Sequence, residues 1–208
     1  MENVLKKILC FGDSNTYGYI PNNGARYDKN TRWTGVLSLL SLGKFEIIED
    51  GCNNRTAFAA NSAGKIFTGY EILPELLTDD FDAVVLAIGI NDTQFLYNLS
   101  SIEIASGVEK LINIVKVKSP QAKILLVAPS ILTEDVLNGN FACLFDRTSI
   151  EKSRQLPLLY QKIAEKQNIE FLDLNSVAKT SSLDGLHYAP EQHLKIAQAI
   201  FTILSELF

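Results

Sequence analysis

Ser14 stands in Gly12-Asp13-Ser14-Asn15, directly after the apolar run Ile8-Leu9-Cys10-Phe11, so a hydroxyl is set where a buried strand ends. Near the far end of the chain, Asp184-Gly185-Leu186-His187 carries a carboxylate and an imidazole three positions apart. One turn of chain brings such a pair side by side, where the carboxylate fixes the ring's tautomer and stabilises its cationic form. Nucleophile, base and orienting carboxylate are the minimum set for acyl transfer through a covalent serine intermediate. In that chemistry His187 takes the Ser14 proton and returns it to the leaving group. The chain holds only two histidines. The second, His193, precedes Ala197 by four residues and Ile200 by seven, on the apolar face of a helix, and reads as a packed structural residue. Taken singly, each piece also has a plainer reading: Ser14 as a helix cap, Asp184 and His187 as a surface turn.

Two further positions supply donors. Gly51 follows the second apolar run, and Asn91 in Gly89-Ile90-Asn91-Asp92 follows the third. With the Ser14 N–H they are the expected oxyanion hole, whose donors are typically worth ~100- to 1,000-fold in turnover. Asp13 and Asp92 are expected to support the site by hydrogen bonding the backbone around it, a simple turn cap being equally open for each. Asp79, Asp80 and Asp82 read as a solvated loop.

Five β-branched and leucine-rich runs must carry these residues: 7–11, 45–49, 83–88, 123–128 and 170–172. They lack polar alternation, which predicts strands buried on both faces, as in a parallel sheet. The segments between them behave as helices. Ser100-Ser101-Ile102-Glu103 is a capping box ahead of Ile104, Val108, Leu111, Ile112 and Val115 on one face, and Ser119-Pro120 ends that helix. Pro190 opens another that runs to about Leu207. Strand and helix alternate throughout, predicting a three-layer α/β/α flavodoxin-like fold with a five-stranded parallel sheet, formed by residues 1–208 as one domain. Such sheets bind ligands at the carboxyl ends of their strands, where Ser14, Gly51, Asn91 and the loop after Pro129 all fall. Residues 130–148 lack a period and read as a loop or lid over that edge.

With 208 residues, 47% of them hydrophobic, the chain can close one sizeable core. Its net charge of −5, with scattered Lys and Arg, argues against nucleic acid and anionic membranes as partners. The longest apolar stretch, Ala83 to Ile90, is far short of the ~20 residues of a membrane span. Cys10, Cys52 and Cys143 are odd in number and widely spaced, which suits a reduced compartment. The N-terminus runs straight into the first strand, leaving no room for a removable leader, so a cytoplasmic location is expected. No metal site is expected, because histidines and cysteines do not cluster. No cofactor is called for either.

Ser14, Gly51, Asn91 and His187, in this order and with Asp184 as third triad member, resemble the SGNH (GDSL) hydrolase family, whose invariant residues are Ser, Gly, Asn and His. Gly12 to Pro21, Arg32-Trp33-Thr34-Gly35-Val36-Leu37, Arg55-Thr56 and Asn91-Asp92-Thr93 are similar to its bacterial arylesterase and acyltransferase branch. The likeness implies hydrolysis of small short-chain esters, with some members passing the acyl group to alcohols, and some forming homo-oligomers. It also implies that Tyr19, Phe141, Phe145 and Leu186 line the substrate pocket, core packing being as open for the two phenylalanines. Two positions depart from the family: Asn15 stands where leucine is common, making the acyl side more polar, and Asn54 stands where glycine is common. Asparagine tolerates the left-handed backbone better than most residues.

Two other functions compete. A carbohydrate O-deacetylase would use the same residues. A flavodoxin-like module would instead cradle a phosphate or nucleotide on the loop from Gly12 to Gly18, leaving Asn91, Asp184 and His187 idle.

Overall fold

The computed structural model describes residues 5–77 and 80–208. Five parallel strands, β1 (Lys6–Gly12), β2 (Phe45–Gly51), β3 (Ala83–Ala87), β4 (Lys123–Ala128) and β5 (Glu170–Asp173), pair in the order β2-β1-β3-β4-β5. The strand order reverses beside β1. A crevice therefore opens where the chain leaves β1 and β3, as in other doubly wound sheets. All five expected strands form, and their ends differ from expectation by no more than two residues.

Alternation along each strand divides the core into two layers. Leu9, Phe11, Val84, Leu86 and Leu126 face α3 (Gly69–Leu76), α4 (Ser101–Lys118) and α5 (Arg147–Gln167). Ile8, Cys10, Val85, Leu125 and Val127 face α2 (Trp33–Leu40) and α6 (Pro190–Leu207). The same runs serve both layers, which is why they show no polar alternation. In α4 the capping box forms as expected, Ser100 accepting from the Glu103 N–H while the Glu103 carboxylate accepts from the Ser100 N–H. Ile104, Val108, Leu111, Ile112 and Val115 are all fully buried, and burying each contributes roughly 1.5–3 kcal/mol.

A third cluster sits at the carboxyl edge of the sheet. Ile90, Leu132, Val136, Phe145, Ile150 and Leu186 pack there, with Phe141 and Leu144 partly buried against them. The segment expected to be a loop or lid is irregular apart from a short 3-10 turn, Glu134–Leu137, and is anchored in this cluster by Leu132, Val136 and Phe145; it ends earlier than expected, because α5 already begins at Arg147. The acidic stretch before β3 also differs from expectation. Asp82 accepts from the Lys6 ammonium and from the Lys7 N–H, both at 2.9 Å, and so ties β3 to the start of β1. Asp80 is exposed, and Asp79 lies outside the described residues. Among the described residues no helix is long and apolar enough to cross a membrane.

Candidate active site

The turn after β1 is built by close approach. A Cβ on Gly12 would lie 2.1 Å from the Thr16 hydroxyl and 2.5 Å from the Ala87 carbonyl, so only glycine lets the chain fold back there. Asp13 caps the single turn of α1 (Ser14–Tyr17), its carboxylate accepting from the Asn15 N–H at 2.9 Å. Gly18, at φ 87°, ends it. Ser14 is therefore the first helical residue, and its own N–H has no acceptor within the helix.

A turn with Gly185 at φ 68° brings the distant tail to this point. His187 Nε2 lies 2.9 Å from Ser14 Oγ, and His187 Nδ1 lies 2.8 Å from Asp184 Oδ2. Asp184 also accepts from the N–H groups of Leu186 (3.1 Å), His187 (2.9 Å) and Asn22 (3.3 Å). Burial pushes the Asp184 carboxyl up, but the His187 ring and these backbone donors outweigh it and hold the group below the usual carboxylate range. An ionised Asp184 accepts a hydrogen bond from Nδ1–H and so keeps the ring's proton on Nδ1, leaving Nε2 free to accept from the serine. Tyr19 stacks on the imidazole at 4.2 Å between centroids, and Phe141 lies 5.2 Å from it.

The pocket in front of Ser14 holds a cavity of about 90 Å³, bordered by Tyr19, Asn53, Asn54, Asn91, Phe141, Leu144, Phe145, Leu186 and His187. Tyr19, Phe141, Phe145 and Leu186 stand where the sequence reading put them; Phe145 and Leu186 belong to the third core cluster as well. Asn15 does not border this pocket. It lines a separate cavity of about 20 Å³ behind the Ser14 turn, and its amide donates to the Leu186 carbonyl at 3.2 Å, joining the Ser14 and His187 turns.

Gly51 also differs from expectation. The N–H of the next residue, Cys52, reaches the Gly12 carbonyl at 3.2 Å, so strand alternation turns the Gly51 N–H away from β1 and from Ser14. A Cβ there would lie 2.1 Å from the Tyr17 nitrogen; the glycine lets α1 rest on β2. From this segment Asn53 and Asn54 border the pocket instead. Asn54 sits at φ 60°, and its N–H has no partner among the described residues. Asn91, nearly fully buried, donates one amide hydrogen to the Arg55 carbonyl at 3.0 Å and keeps the other. Asn54 was visible in the sequence as a departure from glycine; Asn53, Leu144 and the buried Gln94 beside Asn54 gave no signal.

Both supporting carboxylates are buried. Asp92 accepts from the N–H groups of Ala57 (2.6 Å), Phe58 and Ala59 (both 2.9 Å), and so pins the loop that follows Asn54. Burial raises its carboxyl, with those three donors opposing the shift. Arg55 braces the same region through the carbonyls of Gly12, Asp50 and Ile66 and through the Asp50 carboxylate. His193 is a structural residue, as expected: its Nδ1 accepts from the Trp33 N–H at 3.3 Å, and burial pushes it down to about 4. Among the described residues no group of three or more His, Cys, Asp or Glu could hold a metal ion.

Burial pushes the Asp13 carboxyl up to about 7, so the folded chain holds this proton more tightly than the unfolded one. The contribution of Asp13 to stability is then fully present below its ordinary value near 4 and falls as pH rises through about 7. Denaturant unfolding across that window is expected to show stability falling by up to about 1.4 kcal/mol per pH unit from this group. The Asp13→Asn protein, which keeps the cap, is expected to lose that slope.

Comparison with known proteins adds to this geometry. Residues 10–194 match the GDSL-like Lipase/Acylhydrolase family. The native aryl esterase of M. smegmatis superposes with a TM-score of 0.90 at 29% identity, over 98% of this chain and 100% of that one. A carbohydrate acetylesterase from Sinorhizobium meliloti superposes with a TM-score of 0.88 at 30% identity, again over 98% and 100%. No curated protein sequence matches the chain.

Proposed function

Because the chain belongs to the GDSL-like lipase and acylhydrolase family and is a carboxylic ester hydrolase, we propose that it hydrolyses short-chain esters through an acyl-Ser14 intermediate. Ser14 Oγ attacks the ester carbonyl carbon while its proton passes to His187 Nε2. The tetrahedral oxyanion is met by the N–H groups of Ser14 and Asn54 and by the free amide hydrogen of Asn91. Collapse breaks the bond to the alkoxy oxygen, and His187 protonates the departing alcohol. Water then gives a proton to His187 and attacks the acyl carbon, and Ser14 leaves with its proton restored. An alcohol in place of water completes acyl transfer.

The observation that carries this reading is the unbroken line from Ser14 Oγ through His187 to Asp184, at 2.9 and 2.8 Å. Pocket size supports a short acyl chain. The space of about 90 Å³ is smaller than the roughly 150 Å³ that admits benzene. Deacetylation of carbohydrates is a second reading, favoured by the acetylesterase likeness and by the amides of Asn53 and Asn54 in the pocket wall.

Labelling with an organophosphonate ester, followed by peptide mapping, tests the mechanism. Modification at Ser14 that is lost in a His187→Ala protein is the expected result; no label, or a label elsewhere, overturns it. Comparing an aryl acetate with an acetylated sugar as substrates then separates the two esterase readings.

A further inference from the structure

Gln94 lies just beyond Asn91 and is almost wholly buried. It does not border the pocket, yet its amide nitrogen donates to Asn54 Oδ1 at 2.8 Å and to Asn91 Oδ1 at 3.2 Å. These bonds have a fixed direction. The Arg55 carbonyl can only accept, so it dictates which end of the Asn91 amide is nitrogen. Asn91 then presents its oxygen to Gln94, which must answer with its NH₂ group, and that group holds the oxygen of Asn54. The Asn54 backbone carbonyl accepts from the Asn61 side-chain amide at 2.8 Å, so Asn54 is tied at its main chain as well as at its side chain.

Granting the acyl-Ser14 reading, we propose that Gln94 is a positioning residue of the oxyanion hole, one amide that sets the side-chain donor of Asn91 and the backbone donor of Asn54 together. Its cost is visible. Gln94 Oε1 is buried with no partner, a penalty that an apolar side chain of similar volume would avoid. Asn54 needs such a tie because it carries a side chain at φ 60°, in the left-handed region where the position would otherwise favour glycine. Gln94 and Asn54 thus form a pair: the side chain at 54 gives the buried amide something to grip, and the grip holds the 54 N–H at the pocket.

Steady-state hydrolysis of an aryl acetate by the full chain, with the rate of phosphonate labelling at Ser14, tests the pair. Gln94→Leu is expected to lower kcat by about 10- to 100-fold, the scale of small misplacements in a reacting site. KM should stay within about two-fold, because the ground-state ester makes little use of the hole. Labelling should slow with kcat. Gln94→Glu is expected to fall short of wild type as well, since a buried carboxyl has at most one proton to donate where two asparagine oxygens need a donor. In an Asn54→Gly background the Gln94→Leu loss should shrink, because one of its two acceptors is gone. A Gln94→Leu protein with kcat within two-fold of wild type, a loss carried by KM, or equal losses in both backgrounds overturns the proposal. Should Gln94→Leu fail to fold, Gln94→Met is judged by the same criteria. An inert wild-type chain that takes no label at Ser14 sinks the esterase reading itself, whereas an active wild type indifferent to Gln94 sinks only the positioning role.

Discussion

Replacing Ser14 by alanine is expected to lower kcat for an aryl acetate by about 10⁶-fold, the loss seen when a serine nucleophile is removed from an otherwise intact triad. The side chain makes one hydrogen bond, to His187 Nε2 at 2.9 Å, and its methylene remains as the alanine methyl. Stability should therefore change by no more than about 1 kcal/mol. The cap of α1 comes from Asp13 and its end from Gly18, neither of which depends on the hydroxyl. Unfolding midpoint and turnover are measured on the same preparation. A variant within ten-fold of wild-type turnover would end the acyl-serine mechanism.

The chain showed its chemistry early because the residue types that matter are scarce. With two histidines, one on a helix face beside Ile196 and Ala197, the base was nearly determined by elimination, and strand ends told where a serine could meet it. The sheet was legible for a related reason. The inner strands β1, β3 and β4 are buried on both faces along most of their length and offer few polar positions to confuse the pattern, and the residues of β1 fill two separate cores.

What stayed hidden was direction. Gly51 looked like a donor from its type and its place after a strand, yet whether an N–H points toward β1 or away from it depends on register, which a one-residue shift inverts. Asn54 three residues later has the available N–H. The family likeness puts Asn15 on the acyl side of the pocket, where leucine is common, but successive residues of a helical turn face about 100° apart, and Asn15 lines the small cavity behind the turn instead. Asp82 was read as solvated among other acids until the pairing of β1 and β3 set it beside Lys6 and the Lys7 N–H. Gln94 offered no cue, because its partners are fixed by the direction of an amide 36 residues from Arg55 rather than by a spacing.

Asp184→Asn is expected to lower kcat by about 10⁴-fold with the backbone of the turn unchanged. The carboxylate has two jobs on two oxygens. Oδ1 takes the N–H groups of Leu186 and His187, and an asparagine oxygen can keep both bonds. The other position then becomes an NH₂ group facing His187 Nδ1 and the Asn22 N–H, which are donors today. His187 can satisfy the new amide only by moving its proton to Nε2, and that nitrogen faces Ser14. The base is thus lost through tautomer choice, not through displacement. Stability gives an independent check of sign. The folded-state carboxyl lies below its ordinary value, so Asp184 stabilises the fold above pH ~4 and loses that contribution as pH falls through its folded value. Asp184→Asn should be less stable than wild type at neutral pH and converge with it in strong acid. Loss of turnover with wild-type stability at pH 7 would separate the two jobs. Turnover within ten-fold of wild type would mean that Asp184 does not set the ring's proton at all.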